Sequence, residues 1–285
     1  MNESTKINWY PGHMAKTKKQ IIEDLKLIDV VIEILDARIP ISSRNPDLES
    51  LIENKERIII LNKVDLADEY ETKEWINLYK KKGVTAIAVN SNNGNGIAEV
   101  IKNIKNEYEK IKEKYIKKGR IGKTIKVMVI GIPNVGKSSF INKISKRNAQ
   151  EVGNKPGVTK QKKWIKLDEG IELMDTPGML WPKIENSNMA INLAFVGTIG
   201  EKAIDNEEIA YYLIEYLAKE YPNKLIERYN IELEGKETIE IIEEIAKKRG
   251  ALISGGNVDL GRISDIILNE FRSGKIGRIT IEFPR

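Results

Sequence analysis

Short apolar runs alternate with longer amphipathic stretches along the first half of the chain. The runs are dense in β-branched residues and predict strands, whereas apolar residues recur every three to four positions in the stretches and predict helices. The predicted strands cover 28–36, 57–61, 84–89 and 125–131, and the predicted helices cover about 14–27, 46–54, 68–82, 95–118 and 137–146. Because strands that alternate with helices form parallel sheets covered on both faces, we expect an α/β domain.

The alternation ends where two short runs flank a turn. This pattern predicts a hairpin over 161–174, whose strands would add an antiparallel edge to the sheet. Apolar spacing then predicts helices over 186–273, and a strand is expected over 278–283. We therefore expect a mostly parallel α/β domain over residues 1–184 and a small all-helical domain over residues 185–285.

A phosphate-binding loop follows the last predicted parallel strand. The segment "GIPNVGKS", Gly131 to Ser138, has the pattern G-x-x-x-x-G-K-S between a strand and a helix. Backbone N–H groups of such a loop and the helix dipole attract phosphates, while Lys137 would bridge the β- and γ-phosphates. The other loop residues expected to line the phosphates are Gly131, Asn134, Val135, Gly136 and Ser139.

A second motif predicts a magnesium site beside this loop. "DTPG", Asp175 to Gly178, ends the second hairpin strand, where an acid can reach Mg²⁺ through water and the Gly178 N–H can meet a γ-phosphate. Ser138 would be a direct Mg²⁺ ligand. Thr159, in the segment between the phosphate-loop helix and the hairpin, is the expected second hydroxyl ligand, although it also fits an ordinary loop threonine.

The stretch "LNKVDL" predicts a guanine-binding motif. Asp65 would accept hydrogen bonds from guanine N1–H and the exocyclic amine, a pair of donors that adenine lacks. Asn62 opens the motif, and the Lys63 stem would lie over the base plane. In the loop "NSNNG", the backbone of Asn90 or Ser91 would approach guanine O6.

The order of these motifs is unusual. The base-reading motif at 62–65 precedes the phosphate loop at 131–138, whereas ordinary GTPases have the phosphate loop first. All five elements nevertheless fall at predicted strand ends or in the loops between elements. We therefore predict a circularly permuted P-loop GTPase, in which the basic segment near 117–124 joins the usual last helix to the phosphate-loop strand. A permutation of this kind moves the chain ends and leaves the sheet intact.

Composition limits the class of protein. Of 285 residues, 41% are hydrophobic and 31% are charged, as in a globular protein with a substantial core. The sequence has no apolar run long enough to span a membrane and no apolar signal-peptide core, which favours a cytoplasmic protein. Cysteine is absent, which excludes disulfides and metal sites built from thiolates. His13 is the single histidine, which argues against a metal site built from histidines.

Charge is unevenly distributed along the chain. Residues 102–126 carry ten Lys and Arg against three Glu, and residues 143–166 carry eight against one. Residues 201–249, in contrast, carry thirteen acids against eight bases. The first two-thirds of the chain therefore suit a polyanionic partner, although a solvated lysine-rich surface would show the same pattern.

Five segments together resemble the YlqF-type family of circularly permuted GTPases. They are "NWYPGHMAK" (8–16), "DARIPISSRNP" (36–46), "GIPNVGKSS" (131–139), "DTPGMLWPK" (175–183) and "GRITIE" (277–282). The resemblance covers essentially the whole chain. Related permuted families carry an N-terminal oligonucleotide-binding barrel or a cysteine zinc site. This sequence has no room for such a barrel before residue 28 and has no cysteine.

The resemblance implies a GTPase that acts late in assembly of the large (50S) ribosomal subunit. It would bind ribosomal RNA on the precursor particle, rather than DNA, and would be released after hydrolysis stimulated by the particle. It would be a monomer off the ribosome. Its cofactors would be Mg²⁺ and K⁺, with Asn134 holding K⁺ beside the phosphates, although the same amide can simply stabilise the loop.

The position after "DTPG" indicates slow hydrolysis without an activator. Many GTPases place there a Gln that orients the attacking water, but this chain has Met179. Permutation and the resemblance both point to His13 as the group that orients the water instead. His13 equally fits a helix cap or an RNA contact.

Two other functions remain open from the sequence alone. One is a nucleotide-dependent RNA-binding switch in which turnover is incidental, and the other is an RNA-modification GTPase without a ribosomal partner. Arg38 is also ambiguous, because it can approach phosphate or RNA or can pair with Asp36.

Overall fold

The computed structural model describes residues 7–8, 12–52, 54–148, 164–178, 183–184, 186–199 and 205–284. The chain divides into two compact units. The first, called here the α/β unit, consists of Tyr10–Pro182 and Glu282–Arg285. The second, called the helical unit, consists of Met1–Trp9 and Lys183–Ile281.

Strands and helices alternate through the α/β unit as the apolar pattern predicts. Its elements are α1 (Gly12–Leu25), β2 (Val30–Asp36), α2 (Pro46–Ile52), β3 (Glu56–Asn62), α3 (Glu69–Lys81), β4 (Thr85–Val89), α4 (Ile97–Ile116), β5 (Ile125–Ile130), α5 (Lys137–Asn148), β6 (Trp164–Asp168) and β7 (Ile171–Asp175). The helical unit contains β1 (Ile7–Asn8), β8 (Lys183–Ile184), α6 (Ser187–Phe195), α7 (Asn206–Glu220), α8 (Pro222–Tyr229), α9 (Thr238–Arg249) and α10 (Leu260–Arg272).

The main sheet has the order β4-β3-β2-β5-β7-β6 within the described residues. Neighbouring strands are parallel except for β6, which pairs antiparallel with β7 at one edge. This confirms the mostly parallel sheet and the hairpin edge that the sequence predicts. Because the central strands are parallel, β2, β3, β4, β5 and β7 all end at the same edge of the sheet, and the motif residues follow those ends.

Apolar side chains are buried on both faces of the sheet. On one face, Leu25 of α1 and Ile52 of α2 pack with Met128 of β5. The same face buries Trp75 of α3 against Leu61 of β3. Residues of the opposite parity along the strands are equally buried, and α4 and α5 cover that second face.

The helical unit packs around α7. Helices α6, α8, α9 and α10 all contact α7, whose buried face includes Leu213 and Leu217. A partly buried carboxylate, Glu270 of α10, accepts hydrogen bonds from Arg228 and Arg249 and so links α8, α9 and α10. Among the described residues, no helix combines the length and the apolar character that crossing a membrane requires.

The expectation of a strand over 278–283 is wrong. These residues form no strand, because their backbone groups pair with side chains instead of a neighbouring strand. The Thr280 carbonyl accepts hydrogen bonds from the hydroxyls of Tyr216 and Tyr221, at 2.9 and 3.0 Å, and the Thr280 N–H donates to the Tyr221 hydroxyl.

The chain passes from the α/β unit to the helical unit between residues 182 and 183, two residues before the predicted boundary at 184/185. It also passes from one unit to the other at 9/10 and at 281/282. The additional changes have a local cause. Strand β1 pairs antiparallel with β8, so the chain's first strand belongs to the helical unit.

The segment from Glu282 returns to the α/β unit and holds the loop after β2. The Glu282 carboxylate accepts hydrogen bonds from the Ile41 N–H, the Ser42 N–H and the Ser42 hydroxyl. The Glu282 carbonyl also accepts from the Trp75 indole at 2.8 Å. This loop follows Asp36, so Glu282 fixes the backbone next to the end of β2.

We expect Glu282→Ala to lower the free energy of unfolding of the α/β unit by about 1–3 kcal/mol, because two loop amides and a hydroxyl lose a charged acceptor. Hydrogen exchange measured by mass spectrometry should show faster exchange of the Ile41 and Ser42 amides. Glu227→Ala, at an exposed helical position, is the matched control. Unchanged exchange of the two amides in Glu282→Ala would contradict the assignment.

Candidate nucleotide-binding site

Three loops at the carboxyl edge of the sheet are joined by one side chain. The Asn62 amide nitrogen donates to the Val135 carbonyl at 2.7 Å. The Asn62 amide oxygen accepts from the Ser91 N–H at 3.1 Å and from the Ser91 hydroxyl at 2.7 Å. Asn62 is 1% exposed, so these bonds form away from water. The predicted base-reading motif, base loop and phosphate loop are therefore one connected structure.

Gly136 leaves room for this connection. Its φ of 93° lies in the left-handed region, and a Cβ at this position would lie 2.3 Å from the Asn62 amide nitrogen. Any larger residue would both strain the loop backbone and displace Asn62. The second glycine of the phosphate-loop pattern is thus required by the contact between two motifs as well as by the loop itself.

The phosphate loop and "DTPG" line a common cavity of about 480 Å³. Asn134, Lys137, Ser138, Asp175 and Gly178 all line it, together with Pro133, Thr176 and Pro177. The loop starts at Gly131, directly after β5, and Lys137, Ser138 and Ser139 lie in the first turn of α5. Asp175 is the last residue of β7. The structure therefore brings the predicted phosphate and magnesium residues of these two motifs together.

Lys137 is buried at the floor of this arrangement. Its ammonium donates to the Ile132 carbonyl at 2.7 Å. Burial lowers the pKa of Lys137 to about 8, and the negative charge of Asp175 opposes that shift. A buried cation facing a polar cavity at a helix N-terminus favours an anionic ligand, because the ligand would supply the charge that water no longer stabilises.

Asp65 carries a buried acceptor that the described residues leave unused. Its Oδ1 atom is inaccessible to water and has no hydrogen-bond partner among them. A carboxylate can only accept, so a fitting ligand must present N–H or O–H groups. Guanine presents two on adjacent positions, at N1 and the exocyclic amine, which matches the role predicted for Asp65.

The base loop differs in detail from the expected arrangement. The Asn90 side chain accepts from the N–H groups of Asn92 and Asn93, at 2.9 and 3.2 Å, and so shapes its own loop. The Ser91 N–H is directed at Asn62. Contact of the Asn90 or Ser91 backbone with guanine O6 stays a prediction, and the observed role of both residues is to order the loop around Asn62.

Some predicted residues are outside the described part of the chain. Thr159 and Met179 lie outside the described residues. His13 lies in the first turn of α1, which begins at Gly12, and its side chain is likewise not among the described ones. Their assignments stay predictions.

Sequence reasoning missed the environment of Asp36. This carboxylate binds Arg38 and also Lys63 of the base-reading motif, so the ambiguity over Arg38 resolves to pairing within the protein. The positions of the two strands could have indicated this contact, because β2 and β3 are predicted to be consecutive parallel strands. Asp36 and Asn62 are direct partners in the β2–β3 register.

Comparisons with known proteins agree with this geometry. Ribosome biogenesis GTPase A of Bacillus cereus is 43% identical over 278 residues, covering 98% of this chain and 94% of that protein. The chain belongs to the ribosome biogenesis GTPase A family. The family member from Bacillus licheniformis is 42% identical over 281 residues and is covered to 98%, as is this chain. The crystal structure of GNP-bound YlqF from T. maritima has a TM-score of 0.69 at 30% identity, covering 95% of this chain and 99% of that one.

Family membership identifies this chain as a GTPase with the circularly permuted P-loop fold. Residues 126–248 match the model of a family described as "50S ribosome-binding GTPase". That match begins within β5, the strand that leads into the phosphate loop. The base-reading motif lies upstream of the matched segment, in keeping with the permuted order of the ribosome biogenesis GTPase A family.

We expect Asp65→Asn to change the selectivity of the site from guanine to xanthine. The amide would offer one donor and one acceptor, which suits the N1–H and O2 of xanthine but not the two donors of guanine. Affinity for GDP should fall by at least about 100-fold. Titration of the unaltered protein and of Asp65→Asn with GDP and with xanthosine diphosphate measures the change in selectivity. Retention of GDP affinity by Asp65→Asn would exclude Asp65 as the residue that recognises guanine.

We expect GDP affinity to decline above pH 8. Phosphates raise the pKa of Lys137 above its free value of about 8, so the bound protein retains a proton that the free protein has lost. The dissociation constant should be flat below about pH 7 and should rise by up to about tenfold per unit above pH 8. Calorimetry in buffers of different ionisation enthalpy would measure the proton uptake.

Lys137→Arg provides the control for this prediction, because a guanidinium stays protonated across the range. Its affinity for GDP should be lower but independent of pH between 7 and 9. The same proton uptake in Lys137→Arg would show that another group titrates.

Proposed function

We propose that this protein hydrolyses GTP as an assembly factor late in maturation of the large (50S) ribosomal subunit. It binds ribosomal RNA on the cytoplasmic precursor particle as a monomer and is released after hydrolysis that the particle stimulates. The observation that carries the nucleotide assignment is the buried, unused Oδ1 of Asp65 in a site with a phosphate loop. The names of the relatives and of the matched family support the ribosomal partner.

Mg²⁺ accompanies the nucleotide in this family of enzymes. Ser138, exposed in the first turn of α5, and Asp175, at the end of β7, line one cavity and offer the hard oxygen ligands that Mg²⁺ prefers. We assign Thr159 as the further ligand. When bound, the ion neutralises charge on the β- and γ-phosphates.

K⁺ is proposed as the second cofactor, held by Asn134. This residue is exposed at the cavity wall and has a φ of 61°, in the left-handed region that few residues other than glycine adopt. Backbone held in this way at a ligand cavity is typical of a functional position. A monovalent cation there supplies positive charge beside the phosphates.

The proposed water-orienting group is His13. Met179 occupies the place of the usual glutamine, and a thioether cannot orient water by strong hydrogen bonds. Helix α1 buries Ile21 and Leu25 against Met174, the residue before Asp175. The helix that carries His13 therefore packs beside the strand that ends in "DTPG".

A basic surface on the α/β unit suits ribosomal RNA. It consists of the exposed residues Lys102, Lys114, Lys117, Lys118 and Arg120, on α4 and just after it. Other lysines of this helix pair with acids, as Lys105 does with Asp168 at 2.5 Å. The basic surface therefore remains available for phosphates. We assign a second RNA contact to the helical unit.

The first experiment measures GTP hydrolysis in K⁺ buffer with large ribosomal subunits, with small subunits as the control. We expect acceleration of at least about tenfold by large subunits only, weaker acceleration in Na⁺, and loss of acceleration in His13→Ala with GDP binding retained. Equal rates with both subunits would remove the ribosomal assignment, and full acceleration of His13→Ala would remove the role of His13.

A second experiment tests the basic surface. Changing Lys117, Lys118 and Arg120 to Gln should weaken binding to ribosomal RNA and reduce the slope of log affinity against log salt by up to about two or three, because fewer phosphate contacts release fewer counterions. GDP affinity should not change. The matched control changes the exposed Lys80, Lys81 and Lys82 to Gln, and equal losses in both variants would show that only net charge matters.

A further inference from the structure

The carboxylate of Asp36 is shared by two cations. Arg38 binds it through Nε and Nη2, at 2.9 and 2.8 Å, and donates its backbone N–H at 3.1 Å. Lys63 donates its ammonium to Oδ2 at 2.9 Å. Asp36 is 1% exposed, so both pairs form in a nearly dry environment. Burial would raise the pKa of Asp36, but Arg38 and Lys63 hold it well below its usual range.

Arg38 alone can neutralise this carboxylate. A bidentate arginine with a backbone N–H already gives Asp36 one opposite charge and three hydrogen bonds. Arg38 is itself buried and belongs to the loop that Ser43 fastens to β2, where the Asp36 N–H donates to the Ser43 hydroxyl. The ion pair with Lys63 is therefore additional to what the buried charge requires, and it involves a residue of the base-reading motif.

The consequence falls on the Lys63 side chain. The ammonium is tied down at Asp36, whereas 22% of the side chain stays exposed, between Asn62 and Asp65 in the sequence. The backbone at Lys63 has a φ of 61°, so both ends of this side chain are fixed by unusual local structure. A lysine otherwise loses much rotational freedom when it is ordered against a ligand.

We propose that Asp36 is a positioning residue for guanine binding, which holds the Lys63 ammonium so that the Lys63 stem is already ordered as a surface for the face of the base. Asp36 does not touch the nucleotide and acts only through Lys63. Because the ordering is complete before binding, the nucleotide does not have to immobilise this side chain. The inference rests on the proposed guanine site, which the Asp65→Asn exchange tests independently.

A double-mutant cycle separates this role from a structural one. Asp36→Asn keeps the shape and an acceptor for Arg38 but removes the charge that holds Lys63. Lys63→Met keeps an apolar stem but removes the ammonium. We expect each single variant to bind GDP about three- to tenfold more weakly. The double variant should bind within about twofold of Lys63→Met, because two residues that act as one unit are not additive.

Pyrophosphate serves as the second probe, since it occupies the phosphate loop without a base. Its inhibition constant, measured in competition with GDP, should be unchanged in both single variants. General damage to the site would raise this constant. Asp29→Asn is the matched control. Asp29 also forms an ion pair with a lysine, Lys123, at 3.0 Å, but it lies just before the opposite end of β2. That variant should bind GDP normally.

Additive losses in the cycle, or weaker pyrophosphate binding in Asp36→Asn, would overturn the proposal in favour of a structural role through Arg38. If Asp36→Asn does not fold, the comparison of Lys63→Met with Lys63→Arg decides the question, because Lys63→Arg retains a cation for Asp36. GDP affinity of Lys63→Met equal to that of the unaltered protein would then overturn it. Failure of the unaltered protein to prefer GDP over other nucleotides would instead refute the guanine site itself.

Discussion

The nucleotide site depends on the buried amide of Asn62. This one side chain satisfies the Val135 carbonyl on one side and Ser91 on the other, so three loops that are far apart in the sequence share a fixed geometry. An unsatisfied buried amide is destabilising, which makes the arrangement of the loops mutually dependent. Gly136 must be small for the same reason. The predicted guanine-binding and phosphate-binding loops are therefore coupled before any ligand is bound.

This coupling also explains why a permuted chain order is compatible with the activity. What the site requires is that β3, β4, β5 and β7 end at the same edge of the sheet, and parallel pairing in the observed sheet meets that requirement regardless of which strand comes first. The order of the motifs affects the connections instead. The segment after α4 becomes a connector, and it carries part of the exposed basic surface of the α/β unit.

Much of this structure could be predicted from local patterns. Apolar periodicity locates the strands of the sheet to within one or two residues at most ends. Motif spacing places Asp175 at the end of a strand, Asp65 in the loop after a strand and Lys137 at the start of the next helix. The strand prediction is wrong at 278–283, because tyrosine hydroxyls replace a strand partner there and no local pattern reveals them. The ion pair of Asp36 with Lys63 and the bonds of Glu282 were also missed. These contacts join side chains of different elements. The register of β2 and β3 brings Lys63 to Asp36, and the segment that returns to the α/β unit brings Glu282 to its partners.

The bonds of Glu282 have a consequence for how the protein is made. The carboxylate that holds the Ile41 amide is 241 residues further along the chain. At ordinary rates of synthesis, roughly 10–50 s separate the emergence of that loop from the emergence of its acceptor. During this interval the strands of the α/β unit can pair, but the loop beside Asp36 lacks its final restraint. The final ordering of the loop beside Asp36 therefore waits until Glu282 has been synthesised.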